Sequence, residues 1–311
     1  MDDLAFVDGK LVTEAVEINS AWHCNINCAW CSHGSPTLPQ VFADEMVVGR
    51  DLGVLATWMT VDHVRVLGGE PLLHPRLPRL LEEIRSAQLS DRIRILTNGL
   101  MLAQAEAAIW DLVDEIHISV YPNTRRAIEA GLRSLQDTAA AANTTLVLKY
   151  FDRFRLAYRL PDDDRTLTER IYRTCQIGNV WRCLTVEHGD LYRCPQAAFQ
   201  HRFHTPAISV AGGDYLPIHE IGSAAQVRRW LCRGQPLGAC RGCAGSVGEL
   251  RLHRQLDPRE RRELLRAEPS PSQERAGGID FAYLAELESD ANTDNGCVST
   301  SKVIWQAGPI S

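Results

Sequence analysis

Cys24-Asn25-Ile26-Asn27-Cys28-Ala29-Trp30-Cys31 places three thiols within eight residues, in the order C-x3-C-x2-C. The stretch follows Val16 to Trp22, a partly apolar run that reads as a strand. Three thiolates are one short of the set that a structural metal ion requires. An iron–sulfide cube held by three thiolates keeps one iron open to an external ligand. A structural zinc would recruit His23 or His33 as its fourth ligand, although zinc pairs usually come as C-x2-4-C with a distant second pair. Clustered buried cysteines with no metal are the remaining reading.

The context favours the cube. Val64-Arg65-Val66-Leu67 is a β-branched strand that ends in Gly68-Gly69-Glu70-Pro71. The cysteine spacing, with Trp30 just before the third thiol, resembles the signature loop of the radical S-adenosylmethionine (SAM) enzymes. Gly-Gly-Glu-Pro, about one βα unit later, resembles that family's second motif. The resemblance implies a 4Fe–4S cluster on Cys24, Cys28 and Cys31, with SAM chelated at the open iron. It also implies a SAM ammonium group received by the Gly68 to Pro71 backbone and the Glu70 acid. Glycine lets a backbone approach a ligand closely.

Strands and helical patterns alternate through the first half of the chain. The expected strands are Val64 to Leu67, Ile93 to Leu96, Ile116 to Val120 and Leu146 to Tyr150, after a lead-in over residues 1 to 14. Leu77, Leu80, Leu81 and Ile84 recur at i, i+3, i+4 and i+7, one face of a helix. Such alternation predicts an α/β fold with a parallel sheet wound into a partial (βα) TIM-type barrel. Reactive groups in such folds sit at the C-terminal ends of the strands. The cysteine loop, Gly-Gly-Glu-Pro and Thr97-Asn98-Gly99 all fall there. By the family resemblance, which covers roughly residues 15 to 150, Asn98 belongs to a further motif and Ser119 meets the SAM ribose. Lys149 would project at the same rim.

A second set follows where the alternation stops: Cys175, Cys183, Cys194, Cys232, Cys240 and Cys243. His188-Gly189-Asp190 reads as the turn of a β-hairpin that Cys194 closes. The arrangement resembles the twitch or SPASM-like auxiliary-cluster domain of some radical SAM enzymes. That pattern has a first cysteine, roughly nine to fifteen residues, a glycine, about four more, a second cysteine and a later C-x2-C. Cys175 precedes Gly189 by 13 intervening residues and fits, while Cys183 is too near. The resemblance therefore assigns Cys175, Cys194, Cys240 and Cys243 to a second 4Fe–4S cluster, with a zinc ribbon as the competing use of the same ligands. The expected division is 1–160 for the barrel, 161–250 for a small cysteine-rich hairpin and helix domain, and 251–311 for a helix with a partly flexible tail.

Composition sets bounds on partners and location. A net charge of −6 over 311 residues gives no electrostatic reason to expect nucleic acid. No apolar run is long enough to span a membrane. Met1-Asp2-Asp3 lacks the basic and apolar regions of a signal peptide. Ten cysteines then argue for a reducing cytoplasm and for metal ligation in preference to disulfides.

For function, the resemblance implies reductive cleavage of SAM to a 5′-deoxyadenosyl radical, driven by a low-potential donor such as flavodoxin or ferredoxin. The radical would abstract hydrogen from a small polyhydroxylated molecule: an aminocyclitol, an amino sugar or a nucleoside-type natural-product intermediate. The layout is most similar to family members that act as 2-deoxy-scyllo-inosamine dehydrogenases, which implies oxidation of a secondary alcohol with the auxiliary cluster as electron acceptor. Lys149 or His33 would take the hydroxyl proton. Aminoglycoside epimerases share the layout, and there Cys183 or Cys232 would return a hydrogen atom. Sugar-acid decarboxylation is a third possibility. Peptide maturation ranks lower, because only 23 residues precede Cys24.

Overall fold

The computed structural model describes residues 4–161, 163–200, 213–266, 278–294 and 297–300. In chain order, β1 (Phe6–Val7) and β2 (Lys10–Ala21) form a hairpin. The alternating half follows: α1 (Glu45–Trp58), β3 (Met59–Gly68), α2 (Leu77–Ser86), β4 (Ile93–Thr97), α3 (Ala107–Leu112), β5 (Glu115–Val120), α4 (Arg125–Ala141) and β6 (Thr145–Tyr150). Then come β7 (Arg153–Arg155), α5 (Arg165–Thr174), α6 (Gln176–Asn179), β8 (Leu184–Glu187), β9 (Asp190–Tyr192), α7 (Pro195–Phe199), β10 (Tyr215–Pro217) and α8 (Ala224–Leu231). The chain continues with β11 (Leu250–Leu252), α9 (Pro258–Arg266), α10 (Phe281–Asp290), β12 (Ala291–Asp294) and β13 (Cys297–Thr300).

The main sheet runs β10-β9-β8-β2-β3-β4-β5-β6, with β1 paired to β2. From β8 through β6 every neighbouring pair is parallel. Helices cover its outer face, as βαβ units require. Asp44 caps α1, its side chain accepting from the Val47 amide at 3.0 Å. Leu77, Leu80, Leu81 and Ile84 of α2 are all buried against the sheet in the largest apolar cluster. Truncating any one to alanine should cost about 2–5 kcal/mol.

Two boundaries differ from the sequence expectation. The lead-in is itself strand: β2 starts at Lys10, and Leu11, Val12 and Thr13 pair with Met59, Thr60 and Val61. The apolar residues Met46, Val47, Leu55 and Met59 suggest a helix over 45 to 60, and partnership with β2 draws Met59 and Thr60 out of it and into β3. The hairpin of β8 and β9 forms as expected, with His188 and Gly189 both at positive φ (51° and 85°), the requirement of a tight two-residue turn. It is not a separate layer, however. Val16, Glu17 and Ile18 pair in parallel with Leu184, Thr185 and Val186, so the cysteine-rich segment begins as a further strand of the barrel sheet.

That sheet is curved into an arc. One cavity of about 520 Å³ touches Glu14 of β2, Arg65 of β3, Arg94 of β4, His117 of β5, Lys149 of β6 and Cys183 just before β8. Strands spaced about 4.8 Å apart could not bring both edges of a flat sheet to one cavity. TIM-type interiors are usually filled by branched aliphatic side chains. Here the inward positions carry charge. Further on, the strongly charged α9 buries no side chain, as its composition suggests, and α10 docks through Leu284 and Leu287. The sequence from Glu268 to Gly278, rich in Pro, Ser and Gly, reads as a linker, and all of it but Gly278 lies outside the described residues.

Candidate active site

The cysteine loop leaves the C-terminal end of β2 and is held from several sides. Gly69 donates to Ala21 O at 2.7 Å and Glu70 to His23 O at 3.0 Å, which continues the β2–β3 pairing into the loop. An ideal Cβ on Gly69 would lie 2.0 Å from His23 O, and one on Gly68, at φ +139°, would lie 2.3 Å from Ala21 O. Both glycines are therefore demanded by backbone against backbone, beside any ligand they approach. Asn98 Nδ2 donates to Asn25 Oδ1 at 2.6 Å and lies 3.7 Å from Cys24 Sγ. From the far end of the chain, Ala29 donates to Arg254 O and Leu256 to Asn27 O. The Arg254 guanidinium sits over the Trp30 ring at 5.4 Å.

Cys24, Cys28 and Cys31 are within electrostatic reach of one another. Burial pushes the Cys24 thiol up to about 12, with Glu70 and Cys31 adding to the shift. Burial likewise raises Cys28. Converging buried thiols need a bound cation before they can ionise. A cluster with three protein ligands supplies it, and the donor set fits. Together the three line a cleft with Ser32, His33, Gly68, Gly69, Asn98, Ser119 and Tyr121. His33 and Ser119 thus stand in this cleft, and the Ser119 hydroxyl is hydrogen-bonded to Tyr121.

Glu70 sits directly behind the cleft wall formed by Gly68, Gly69, Thr97 and Asn98. It is wholly buried and absent from the cleft lining. Its Oε1 accepts from Thr97 Oγ1 at 2.6 Å and from the Leu72 amide at 3.1 Å, and its Oε2 accepts from the Asn98 amide at 2.9 Å. The carboxylate braces the Thr97-Asn98-Gly99 turn and caps the short helix that Pro71 opens. Burial raises its pKa against those three donors.

Cys175, Cys194, Cys240 and Cys243 form a second gathering. Cys194 feels Cys175 and Cys240; Cys240 feels Cys243 and Cys175; Cys243 feels Cys175 and Cys194. Every one of the six pairs is within electrostatic reach. Asp214 shapes the turn before Cys240, accepting from the Gly238 and Ala239 amides at 2.7 and 2.9 Å. The Gly245 amide donates to Cys243 Sγ at 3.2 Å. Among the described residues, no trio of His, Cys, Asp or Glu closes tightly enough to hold a single metal ion. Zinc would draw its sulfurs to within about 4 Å of each other. A four-iron cube holds its ligands farther apart, and the four thiols are candidate ligands for either kind of centre.

The remaining cysteines separate clearly. Cys183 is buried, lines the 520 Å³ cavity and lies 3.8 Å from Arg65 Nη1. Cys232 packs against the main apolar core beyond α8 and is disulfide-bonded, contrary to the expectation of metal ligation in preference to disulfides, and as a disulfide it has no S–H to return to a substrate radical.

The cavity holds what the sequence reading missed. Arg65 Nη2 meets Glu14 at 2.6 Å and its Nη1 meets Glu17 at 3.3 Å, while Arg94 Nε meets Glu115 at 2.8 Å. His63 Nε2 accepts from both Arg65 and Arg94 at 2.8 Å, and its Nδ1 lies 2.9 Å from Asp62. Only a neutral ring with its proton on Nδ1 can do this. Burial, reinforced by the two guanidinium groups, holds His63 down at about 4. His117 is held at about 4 by burial and by Lys149 and Arg94, with Nε2 2.9 Å from Glu115. A signal for these residues existed. Arg65, Arg94 and His117 occupy the polar phase of otherwise apolar strands, as does Lys149, which the sequence did single out, and Arg65 pairs in register with Arg94, and Arg94 with Glu115.

Residues 19–128, about a third of the chain, match the family model described as Radical SAM superfamily. This stretch is a radical SAM domain, and the superfamily implies the three-thiol 4Fe–4S cluster and SAM. Among particular relatives, GTP 3′,8-cyclase of Chlorobaculum tepidum is 33% identical over 99 residues, 31% of this chain and 29% of that protein. The GTP 3′,8-cyclase of Streptomyces coelicolor is 26% identical over 117 residues, 36% of this chain and 34% of that one. The chain thus spans about a third of the length of these curated relatives. A solved structure of BtrN with AdoMet and 2-DOIA aligns at a TM-score of 0.48 and 16% identity, covering 76% of this chain and 94% of that one. No helix among the described residues is long and apolar enough to cross a membrane.

Proposed function

We propose that the protein is a radical SAM oxidoreductase that oxidises a secondary alcohol of a polyhydroxylated small molecule, with Cys175, Cys194, Cys240 and Cys243 holding an auxiliary 4Fe–4S cluster. One observation carries the reading. The 520 Å³ cavity is bounded by Ser32, Ser119 and Tyr121, which also line the cysteine cleft, and by Gln176, Gln196, Gly245 and Ser246, which flank the second thiol set. A substrate there lies between the two centres. When bound, these groups supply the oxidising end of the chemistry: SAM the 5′-deoxyadenosyl radical that takes a carbon-bound hydrogen, the second cluster the acceptor for the remaining electron. None of the four auxiliary cysteines lines the cavity, which favours an electron-transfer role over substrate ligation.

The chain's own residues position the alcohol and take its proton. Aromatic rings of Tyr121, Phe151, Phe154, Trp181 and Tyr283 wall the cavity and exclude water. Lys149 Nζ can receive the hydroxyl proton, as can Nδ1 of His117, whose Nε2–H is oriented by Glu115. His33 stands in the cysteine cleft and is the less suited of the sequence candidates. A reduced flavodoxin or ferredoxin would prime the radical centre.

Epimerisation is the second reading, and Cys183 favours it. Its thiol lies in the same cavity, and burial raises its pKa well above the ordinary value, which preserves the S–H that a hydrogen-atom donor needs. The GTP 3′,8-cyclase relatives are named for a nucleotide, which falls within the nucleoside-type range of substrates. Turnover in heavy water separates the two readings. A dehydrogenase gives a ketone two hydrogens lighter than the substrate. An epimerase leaves the mass unchanged apart from one deuterium, and that deuterium vanishes in C183A. No 5′-deoxyadenosine with any polyol, amino sugar or nucleoside would refute both.

A further inference from the structure

The charge of the cavity lining narrows the substrate. Its basic side chains are Arg65, Arg94, Lys149, Arg153 and Arg155, and its single acid is Glu14. Glu14 is already engaged by Arg65 at 2.6 Å. Behind the lining, Glu17 and Glu115 answer Arg65 and Arg94, and Asp280 lies 3.4 Å from Arg155. Lys149 is different. It is half-buried, lines the cavity, and has no hydrogen-bond or ion-pair partner among the described residues.

A half-buried ammonium with no ion-pair partner is costly, and the fields of Arg94 and Arg65 add to that cost more than those of Glu115 and Glu14 offset it. An anion delivered by the ligand would remove it. A cationic aminocyclitol or amino sugar would make it worse.

We propose that the cavity binds a substrate carrying an anionic group, a phosphate or a carboxylate on a sugar or nucleoside, with Lys149 as its charge partner and Arg94 beside it. The inference rests on the radical SAM reading for its chemistry, but not for its test. Charge-assisted contacts of this kind are roughly twice as strong as neutral ones. With Lys149 held protonated by the anion, the proton of the reacting hydroxyl falls to the neutral imidazole of His117.

The test is binding, separate from turnover. Reconstituted full-length protein, saturated with SAM and kept free of reductant, is titrated anaerobically with glucose 6-phosphate, gluconate, GTP and neutral myo-inositol. The expected result is that at least one anion binds tenfold or more tighter than myo-inositol, that added salt weakens it, and that K149M loses about tenfold while K149R retains most of the affinity. Preference for glucose 6-phosphate or GTP assigns phosphate, and preference for gluconate assigns carboxylate. Anions that bind no better than myo-inositol overturn the proposal, as does undiminished affinity in a K149M or K149Q protein with wild-type iron content. Loss of 5′-deoxyadenosine formation would count against the radical reading and leave this binding result standing.

Discussion

Replacing Gly69 by alanine tests the join between the two halves of the radical centre. The new methyl carbon would lie 2.0 Å from His23 O, 2.4 Å from His23 C and 2.9 Å from Trp22 O. A relaxed carbon–oxygen contact is well over 3 Å, so the chain before Cys24 must retreat by about an ångström. Backbone is what stands in the way, and it cannot swing aside as a flexible side chain would. The movement also endangers the Glu70 N–H to His23 O hydrogen bond of 3.0 Å. Overpacking at about 1–3 kcal/mol plus a hydrogen bond at about 1 kcal/mol gives a loss of roughly 2–4 kcal/mol. Metal ligands tolerate only about 0.2 Å of error, so Cys24 would leave its place even in a folded molecule. After anaerobic reconstitution, G69A should retain the iron of the second centre, about half the total, and lose SAM cleavage. G53A is the control: its Cβ meets nothing within 4 Å in the interior of α1. It should keep all its iron and gain about 0.5–1 kcal/mol. Wild-type iron content and SAM cleavage in G69A would refute the reasoning.

Three other perturbations follow from the same geometry. His63 and His117 are held near 4 in the folded chain against an ordinary 6.5. The unfolded chain therefore takes up their protons first, and stability that is complete above pH 6.5 drains away as pH falls toward 4, by up to about 3 kcal/mol for each ring; urea midpoints between pH 7 and 5 should fall less steeply in H117Q than in wild type, and an identical slope would count against the assignment. D214A removes the acceptor of the Gly238 and Ala239 amides, at a cost of about 1–2 kcal/mol, and should lower iron at the second centre while sparing the first; unchanged iron would deny Asp214 that role. E70Q turns an acceptor of three hydrogen bonds into one that presents N–H to at least one donor. A loss of about 1–3 kcal/mol in melting experiments is expected, with SAM affinity reduced through displacement of Asn98; full stability would mean the brace is unimportant.

Much of the site was legible because its chemistry is local in sequence. The thiols of Cys24, Cys28 and Cys31 are a few residues apart, and Gly68-Gly69-Glu70-Pro71 and Thr97-Asn98-Gly99 each end a strand whose apolar pattern is plain. The choice of Cys175 over Cys183 followed from spacing to Gly189; in the structure Cys194, Cys240 and Cys243 each feel Cys175, while Cys183 feels Glu17 and Arg65 and also Cys194. What escaped was set by tertiary pairing. Nothing near Met59 announces that β2 extends back to Lys10 and pulls it into a strand. Nothing in Leu184 to Val186 says that their partner is Val16 to Ile18 and not a hairpin alone. His253, 225 positions beyond Cys28, approaches its Sγ to 3.2 Å and also stacks on Tyr121 at 4.7 Å. The charged lining was the avoidable omission. A polar residue in each of four successive strands ordinarily marks a solvent face, but a barrel turns that face inward.

The central claim is that three thiols hold a cluster whose open iron takes SAM. Mössbauer spectroscopy of the anaerobically reconstituted protein, with and without SAM, tests it most directly. Two 4Fe–4S clusters, about eight irons per chain, are expected, with one iron site shifting when SAM is added. That shift should vanish in C28A, while the second cluster remains. A chain that binds no cluster at Cys24, Cys28 and Cys31, or a spectrum indifferent to SAM, would contradict the account.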